Sequence, residues 1–268
     1  GTPSRSMFFG EERQMLPPFM IDGRNTAEVF LSNMDYAQVG GAVVVQEVID
    51  GNQNDYLREV QGKYPQRFFC MAMANSKEEA EIAFQEGFRG IAIPGHRLST
   101  PLTALLPMFR FMEEKDMILS LCLHEDNHQI PEVESVISEC PNLKIAIGHF
   151  GMVTTEGWME QIRLAHHKNV MIESGGITWL FNSEFYPYNG AIEAIRQAAD
   201  EVGMEKLMWG SDYPRTITAI TYRMSYDFII KSSAFSDKEK TLFLGENAKR
   251  FYGFGELPEL PYIKNMSE

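Results

Sequence analysis

An α/β fold of the (β/α)8 TIM-barrel class, with its first strand missing or degenerate, is predicted by three observations. Short apolar runs alternate with longer amphipathic stretches along the whole chain, the runs are apolar throughout rather than at every second residue, and the length is 268 residues. Strand-helix alternation builds parallel βα units, and parallel strands buried on both faces read as unbroken runs of Val, Ile, Phe and Met. One barrel takes roughly 250 residues. A single domain over residues 1–268 is therefore expected, with an irregular N-terminal segment at 1–25 and a tail at 255–268.

The strand-like runs are "GAVVVQE" (41–47), "RFFCMAMA" (67–74), "FRGIAIPG" (88–95), "MILSLCLHE" (117–125), "LKIAIGHFG" (143–151), "VMIESGG" (170–176) and "LMWGSDYP" (207–214). A closed barrel has eight strands, so the absent one belongs before Gly41. Residues 1–18 read as polar and loop-like, and Pro17-Pro18 forbids ordinary strand pairing. Either "FMIDGRN" (19–25) is a degenerate first strand or that strand precedes Gly1, and the polar, proline-containing lead-in favours the second. Helix signals fall between the runs. Ser76 with Glu79 and Ser236 with Glu239 fit the capping box, and Thr100-Pro101 reads as N-cap then first helical position. Ile192, Ile195, Ala199 and Val202 share one face of a helix over 191–202, with Gly203 as its C-cap. No repeat, low-complexity tract or Pro/Ser-rich linker divides the chain.

Composition narrows the function. The chain is 44% hydrophobic and 23% charged, and no run approaches the ~18 apolar residues of a membrane helix. A net charge of -13 with no basic run argues against a nucleic-acid partner, because phosphate backbones are bound by surplus Lys and Arg. Cys70, Cys122 and Cys140 are too few and too scattered for a disulfide framework or a CxxC metal site, which fits a reducing cytoplasm. A small molecule is the expected partner, with homo-oligomerisation left open.

In a barrel the C-terminal ends of the strands converge on one mouth, so polar residues ending apolar runs are candidates for chemistry. His124, His149 and Asp212 end three runs, and Glu47, His96, Glu125 and Glu173 sit near the ends of others. Two imidazoles and a carboxylate can hold a divalent cation or serve as acid and base without one, and spacing leaves both open. A lone His is ordinarily a satisfied core residue, and an Asp before a turn often caps backbone N–H groups. Their recurrence at successive strand ends is the argument for function. His96 and Arg97, in "PGHRLST", are placed to meet a substrate carboxylate, Arg being suited to bidentate recognition. Glu47, Tyr213 and Arg215 are pocket candidates, with packing the alternative for Tyr213. Glu173 reads alternatively as a buried partner to a cation. His128, His166 and His167 fall in a loop and at a helix end, where solvated or helix-dipole roles are expected. The aromatics of "ITWLFNSEFYPY" (177–188) read as a substrate wall or a subunit contact, and the tail "LPELPYIKNMSE" (257–268) as a strap or partner contact. Gly175-Gly176 suggests close backbone approach.

At these residues the sequence resembles a known family. "LCLHED", "NLKIAIGHFG", "NVMIESGG", "KLMWGSDYPR" and "GENAKRFYGF", in that order, are similar to motifs of the amidohydrolase superfamily, over roughly residues 26–254. The similar branch includes sugar lactonases, dicarboxylate lactonases and non-oxidative decarboxylases. The resemblance implies a barrel with His124 as a metal ligand and His149 as a second ligand or substrate-polarising group. It implies Asp212 as a metal ligand or as the base that takes a proton from water. One departure stands out: metal-dependent members carry an HxH pair on the first strand, and this sequence has no HxH. Were "MIDGRN" that strand, Arg24 and Thr26 would stand in the pair's place, and a guanidinium repels a cation. A divalent metal, Zn²⁺ foremost, is thus implied only in part. The implied function is hydrolysis of a small carboxylated or sugar-derived substrate, by lactone opening with Asp212 as general base. The alternatives are non-oxidative decarboxylation of an aromatic or muconate-like acid, and a non-catalytic relative that binds a small acid.

Overall fold

The computed structural model describes residues 5–8, 11–14, 25–48 and 51–260; "FMID" (19–22) and Arg24 lie outside them. A hairpin comes first. Strands β1 (Arg5–Phe8) and β2 (Glu11–Gln14) pair antiparallel with Arg5 opposite Gln14, where a loop was expected over residues 1–18. Two short runs separated by two residues, the second a glycine, have hairpin spacing, a signal that a search for apolar runs passes over.

The other strands are β3 (Ala42–Val44), β4 (Phe68–Cys70), β5 (Ala72–Met73), β6 (Gly90–Ile93), β7 (Ile118–Leu121), β8 (Lys144–Ile147), β9 (Val170–Glu173) and β10 (Leu207–Met208). All pair parallel and in chain order, β3 with β4 and then β5 through β10. Every run read as a strand contains one. β4 and β5 form one run interrupted at Met71, whose N–H donates to Val44 O at 2.9 Å. Helices Asn54–Lys63, Lys77–Gln85, Leu106–Glu114, Ile130–Glu139, Met159–Arg163 and Asn189–Val202 make the crossovers between successive strands, the winding of a βα barrel. Among the described residues no strand joins β10 to β3.

The caps show why these helices begin where they do. Ser236 and Glu239 form both halves of a capping box, whereas Ser76 accepts the Glu79 N–H but Glu79 turns back to Asn75 N–H at 2.7 Å. Thr26 is the N-cap of the helix Ala27–Tyr36 and accepts the Val29 N–H. Thr100 does not cap as expected. Pro101 holds the N-cap position, and Glu132 Oε2 accepts the Leu102 N–H at 2.6 Å, so a carboxylate from a neighbouring helix does the threonine's work. Gly203, at φ 89°, closes the helix Asn189–Val202 as predicted.

Register decides what the strands deliver. Ala92 lies across from Ser120, Ser120 from Ala146 and Ala146 from Met171, which places these residues at one level of the sheet. Ala92, Ala146 and Met171 join Met71, Ile118, Met208 and Tyr252 in a small inner core, while Ile91, Leu119, Leu121, Ile145, Ile147 and Ile172 belong to the larger core under the helices. Side chains alternate along a strand. Continuing the inner positions at that period brings His96, Cys122, His124, Glu173, Gly210 and Asp212 to one end, where all of them line a single cavity.

The C-terminal helix Asn247–Tyr252 packs on the inner core through Tyr252. Asn247 is fully buried at 0% exposure, and its amide donates to Met204 O at 2.8 Å and Leu207 O at 2.7 Å. This ties the "GENAKRFYGF" segment to the start of β10, the strand that leads to Asp212. No described helix is long and apolar enough to cross a membrane. Asn247→Leu takes a buried donor away from both carbonyls, of which Met204 O keeps the Leu207 N–H, and chemical denaturation should show a loss of about 1–3 kcal/mol; a change below about 0.5 kcal/mol would count against this anchor.

Candidate active site

The mouth is organised around Glu173, the last residue of β9. Its Oε1 accepts the His149 N–H at 3.0 Å and its Oε2 the Gly175 N–H at 2.7 Å. The carboxylate fits because its neighbours have no side chain. A Cβ on Gly210 would lie 2.1 Å from Glu173 Oε2, and one on Gly148 or Gly175 would lie 2.8 Å from a Glu173 oxygen. Burial pushes the Glu173 carboxyl above its ordinary pKa, only partly opposed by His149 and the two backbone N–H groups.

His149 and Asp212 share an unusual backbone. Their φ values are 59° and 53°, left-handed for residues with side chains, and such conformations cost about 1–3 kcal/mol and gather at functional sites. His149 Nδ1 stands 2.9 Å from Gly175 O, and since a carbonyl only accepts, Nδ1 carries the proton. Burial alone would favour the neutral ring. The Cys122 thiol, which hydrogen-bonds the imidazole, and the carboxylates of Asp212 and Glu173 reverse that and raise its pKa well above the usual histidine range. Asp212 Oδ2 accepts the Trp179 indole N–H at 2.7 Å. Trp179 also meets the His149 ring edge-on at 6.3 Å, and the Arg215 guanidinium lies 3.8 Å above its face. One indole therefore touches three of the residues expected at the mouth.

A second group faces them. Glu47 Oε2 accepts from Arg97 Nε at 2.8 Å and lies 3.6 Å from His96 Nε2. The His96 N–H donates to Cys122 O at 3.1 Å. Burial lowers the His96 pKa more than Glu47 raises it, which keeps this ring neutral at neutral pH. Tyr213 lines the cavity, and there its ring stacks on Phe30 at 4.3 Å and its hydroxyl donates to Asn25 Oδ1 at 3.2 Å. The cavity measures about 2060 Å³. That exceeds the roughly 300–1,000 Å³ of ordinary ligand sites, and among the described residues its lining extends to Gly40 and Leu257.

His124 belongs to another arrangement. Its Nδ1 lies 3.1 Å from Asp126 Oδ1, which also contacts His128 Nδ1. The donor atoms of these three residues lie within 4.8 Å of one another, the one such group of His, Cys, Asp or Glu among the described residues. His149 and Asp212 stand outside it. The set expected for a metal, His124 with His149 and Asp212, is thus not gathered as closely as His124 with Asp126 and His128. His166 and His167 pair with Glu201 and Glu134 on the surface, as a helix end leads one to expect. The sequence reading overlooked Trp179 as a partner of Asp212, Cys122 as a partner of His149, and the buried amides of Gln129 and Gln161. Cys122 carried a readable signal, since it sits two residues before His124 and hence on the same strand face.

Followed by NMR, His149 should titrate well above 6.5 and His96 below it. Because the folded-state value of His149 is raised, its contribution to stability is complete below pH 6.5 and is lost as pH climbs through the raised value. Glu173→Gln removes a negative charge beside the ring and should lower the His149 midpoint. A wild-type midpoint at or below 6.5 would show that the acidic groups do not control this ring.

No curated protein matches the chain. Among solved structures, a probable 2-pyrone-4,6-dicarboxylic acid hydrolase from Acinetobacter baumannii with citric acid bound superposes with a TM-score of 0.70 at 22% identity, covering 85% of this chain and 89% of that one. An amidohydrolase from Burkholderia multivorans with bound zinc gives 0.70 at 16% identity, over 87% and 89%. A 2,6-dihydroxybenzoate decarboxylase in complex with 2,6-dihydroxybenzoate gives 0.63 at 16% identity, over 85% and 88%. At these identities the likeness establishes the (β/α)8-barrel fold. Residues 2–254 match the sequence model of the family described as Amidohydrolase, nearly the whole chain, and the protein belongs to that family.

Proposed function

We propose that the protein hydrolyses a small lactone bearing a carboxylate, with Asp212 as general base and His149 stabilising the oxyanion. The observation that carries this reading is that both side chains reach one cavity from left-handed strand ends, each oriented by a hydrogen bond. Trp179 occupies Asp212 Oδ2, and among the described residues Oδ1 accepts no hydrogen bond, so it can hold a water.

The chemistry follows from these positions. Water gives a proton to Asp212 as its oxygen bonds to the lactone carbonyl carbon. Charge moves to the carbonyl oxygen, where the His149 imidazolium meets it in a partly desolvated site. The ring C–O bond then breaks, and the leaving oxygen takes the proton from Asp212. Arg215, stacked on Trp179 and without an ion-pair partner among the described residues, would hold the substrate carboxylate, with His96 and the Arg97–Glu47 pair forming the opposite wall. The hydrolase likeness, with a dicarboxylic lactone in its name and citric acid bound, supports this substrate class. Zinc in the Burkholderia structure supports a divalent ion in the family, but the steps above belong to the chain's own residues. The three free cysteines fit a reducing cytoplasm as its compartment.

The test is a panel of carboxylated lactones, sugar lactones and aromatic acids, followed by proton release and by CO₂ release. Carboxylated lactones should release acid. Asp212→Asn should lower kcat/KM by about 10²–10⁴-fold, and His149→Gln by about 10²–10³-fold. Gly210→Ala, whose new methyl displaces Glu173, should cost about 10²-fold without unfolding the chain. Arg215→Ala should act chiefly on KM. The rate should fall as pH rises through the raised pKa of His149, above 6.5, where the imidazolium is lost. Acid release that survives Asp212→Asn sinks the general-base assignment. CO₂ release from aromatic acids would establish the decarboxylase reading, which the decarboxylase likeness supports, and binding without turnover the non-catalytic one.

A further inference from the structure

Asp212 and Arg215 stand three residues apart, and the chain between them turns: the Thr216 N–H donates to Asp212 O at 3.2 Å, and the backbone at Arg215 is helical, at φ -56° and ψ -42°. An acid and an arginine at that separation on one turn are neighbours and ordinarily pair. Asp55 with Arg58 and Glu160 with Arg163 do so in this chain. Asp212 and Arg215 both line the cavity, yet among the described residues they form no ion pair with each other.

The side chain that both of them meet instead is the indole of Trp179. Its N–H donates to Asp212 Oδ2 at 2.7 Å, and the Arg215 guanidinium lies over its face, 3.8 Å from the ring centroid. Each charge thus has a partner that carries no charge. The N–H satisfies one carboxylate oxygen, and the π face attracts the cation without neutralising it. The loop after β9 is shaped to hold the ring in that place. Ile177 and Thr178 are buried and anchor the short helix Ile177–Leu180. Gly176 takes φ 82°, and a Cβ on it would lie 2.0 Å from Trp179 Nε1, so only a glycine lets the indole lie against the backbone there.

We propose that Trp179 is a positioning residue that keeps Asp212 and Arg215 from closing on each other, leaving the first free to take a proton and the second free to hold a carboxylate. The roles of the two charges rest on the lactonase reading, whereas their separation is a property of the fold. Closure would harm the reaction twice. A paired carboxylate accepts a proton less readily, and a paired guanidinium has fewer N–H groups to offer a substrate.

Crystal structures of the full chain carrying Trp179→Leu and Trp179→Phe test it. Leucine keeps an apolar side chain in the loop but has neither the N–H nor the ring face, and the Arg215 guanidinium should then come within about 4 Å of the Asp212 carboxylate. Phenylalanine keeps the face, and the two should stay apart. In turnover of a carboxylated lactone, Trp179→Leu should lower kcat by about 10²-fold and raise KM, and Trp179→Phe should lower kcat by about tenfold with KM near the parent's. Adding Arg215→Met to Trp179→Leu should raise kcat again by about tenfold while KM stays high, a recovery that lost packing alone does not give. Circular dichroism should show each variant folded, and Trp179→Met, whose longer side chain adapts to the gap, replaces Trp179→Leu if that one is not. Arg215 and Asp212 still apart in the leucine variant overturns the proposal, because the backbone alone then separates them. So does a loss of kcat that Arg215→Met leaves unrelieved. Acid release that survives Asp212→Asn, or no turnover at all, counts against the lactonase reading, and the crystal structures still decide the separation.

Discussion

The carboxylate of Glu173 must be paired where it stands, because a buried charge without partners is expensive. Its partners are backbone N–H groups at the ends of adjacent strands, those of His149 and Gly175, and the imidazole of His149. To present its N–H, the chain leaving β8 turns into the left-handed region at His149, which aims the imidazole at Gly175 O and at Cys122. To leave room, the chain leaving β10 must pass as Gly210, after which Ser211 and the left-handed Asp212 follow. The geometry of both candidate catalytic residues thus descends from satisfying one acid. The strain at His149 and Asp212 persists because the surrounding hydrogen bonds over-determine it.

Much of this was legible in one dimension, and the parts that were not share a cause. Burial on both faces marks a parallel strand wherever it lies, so β3 to β9 could be read from their runs. In "LMWGSDYP" the ladder covers only Leu207–Met208, because the Trp209 N–H leaves it for Phe243 O. His149 and Asp212 stood out as polar ends of apolar runs, a local property. Glu173 stood out equally, but its role depends on glycines from three strands, which no local pattern connects. Trp179 lies 33 residues from Asp212 and was readable only as part of an aromatic loop. His128 read as a solvated loop residue because convergence with His124 depends on Gln161, 37 residues from His124. Thr100 misled for the same reason, since the carboxylate that replaced it comes from Glu132, 30 residues from Leu102.

The mouth also resolves an apparent conflict of charge. A chain with net charge -13 seems a poor host for a carboxylated substrate. Exposed charges, however, are screened beyond about 8–10 Å at physiological ionic strength, and many of the acids are met locally, as Glu201 is by Arg163 and His166 and Glu239 by Arg196. What an incoming anion feels is the lining of the cavity. There Glu47 is offset by Arg97, and Glu173 and Asp212 hold the His149 imidazolium in place. Arg215 lies over an indole and has no ion-pair partner among the described residues, and a cation on an aromatic face keeps its N–H edge available to a carboxylate. On the lactonase reading, a carboxylate at Arg215 and a carbonyl oxygen at His149 would place the negative charge present at the start and the charge that develops at two separate cations. A neutral sugar lactone would use only the second. The same reasoning favours a substrate with an acid group beside the scissile ester over one without, and it does so through local electrostatics that the overall composition conceals.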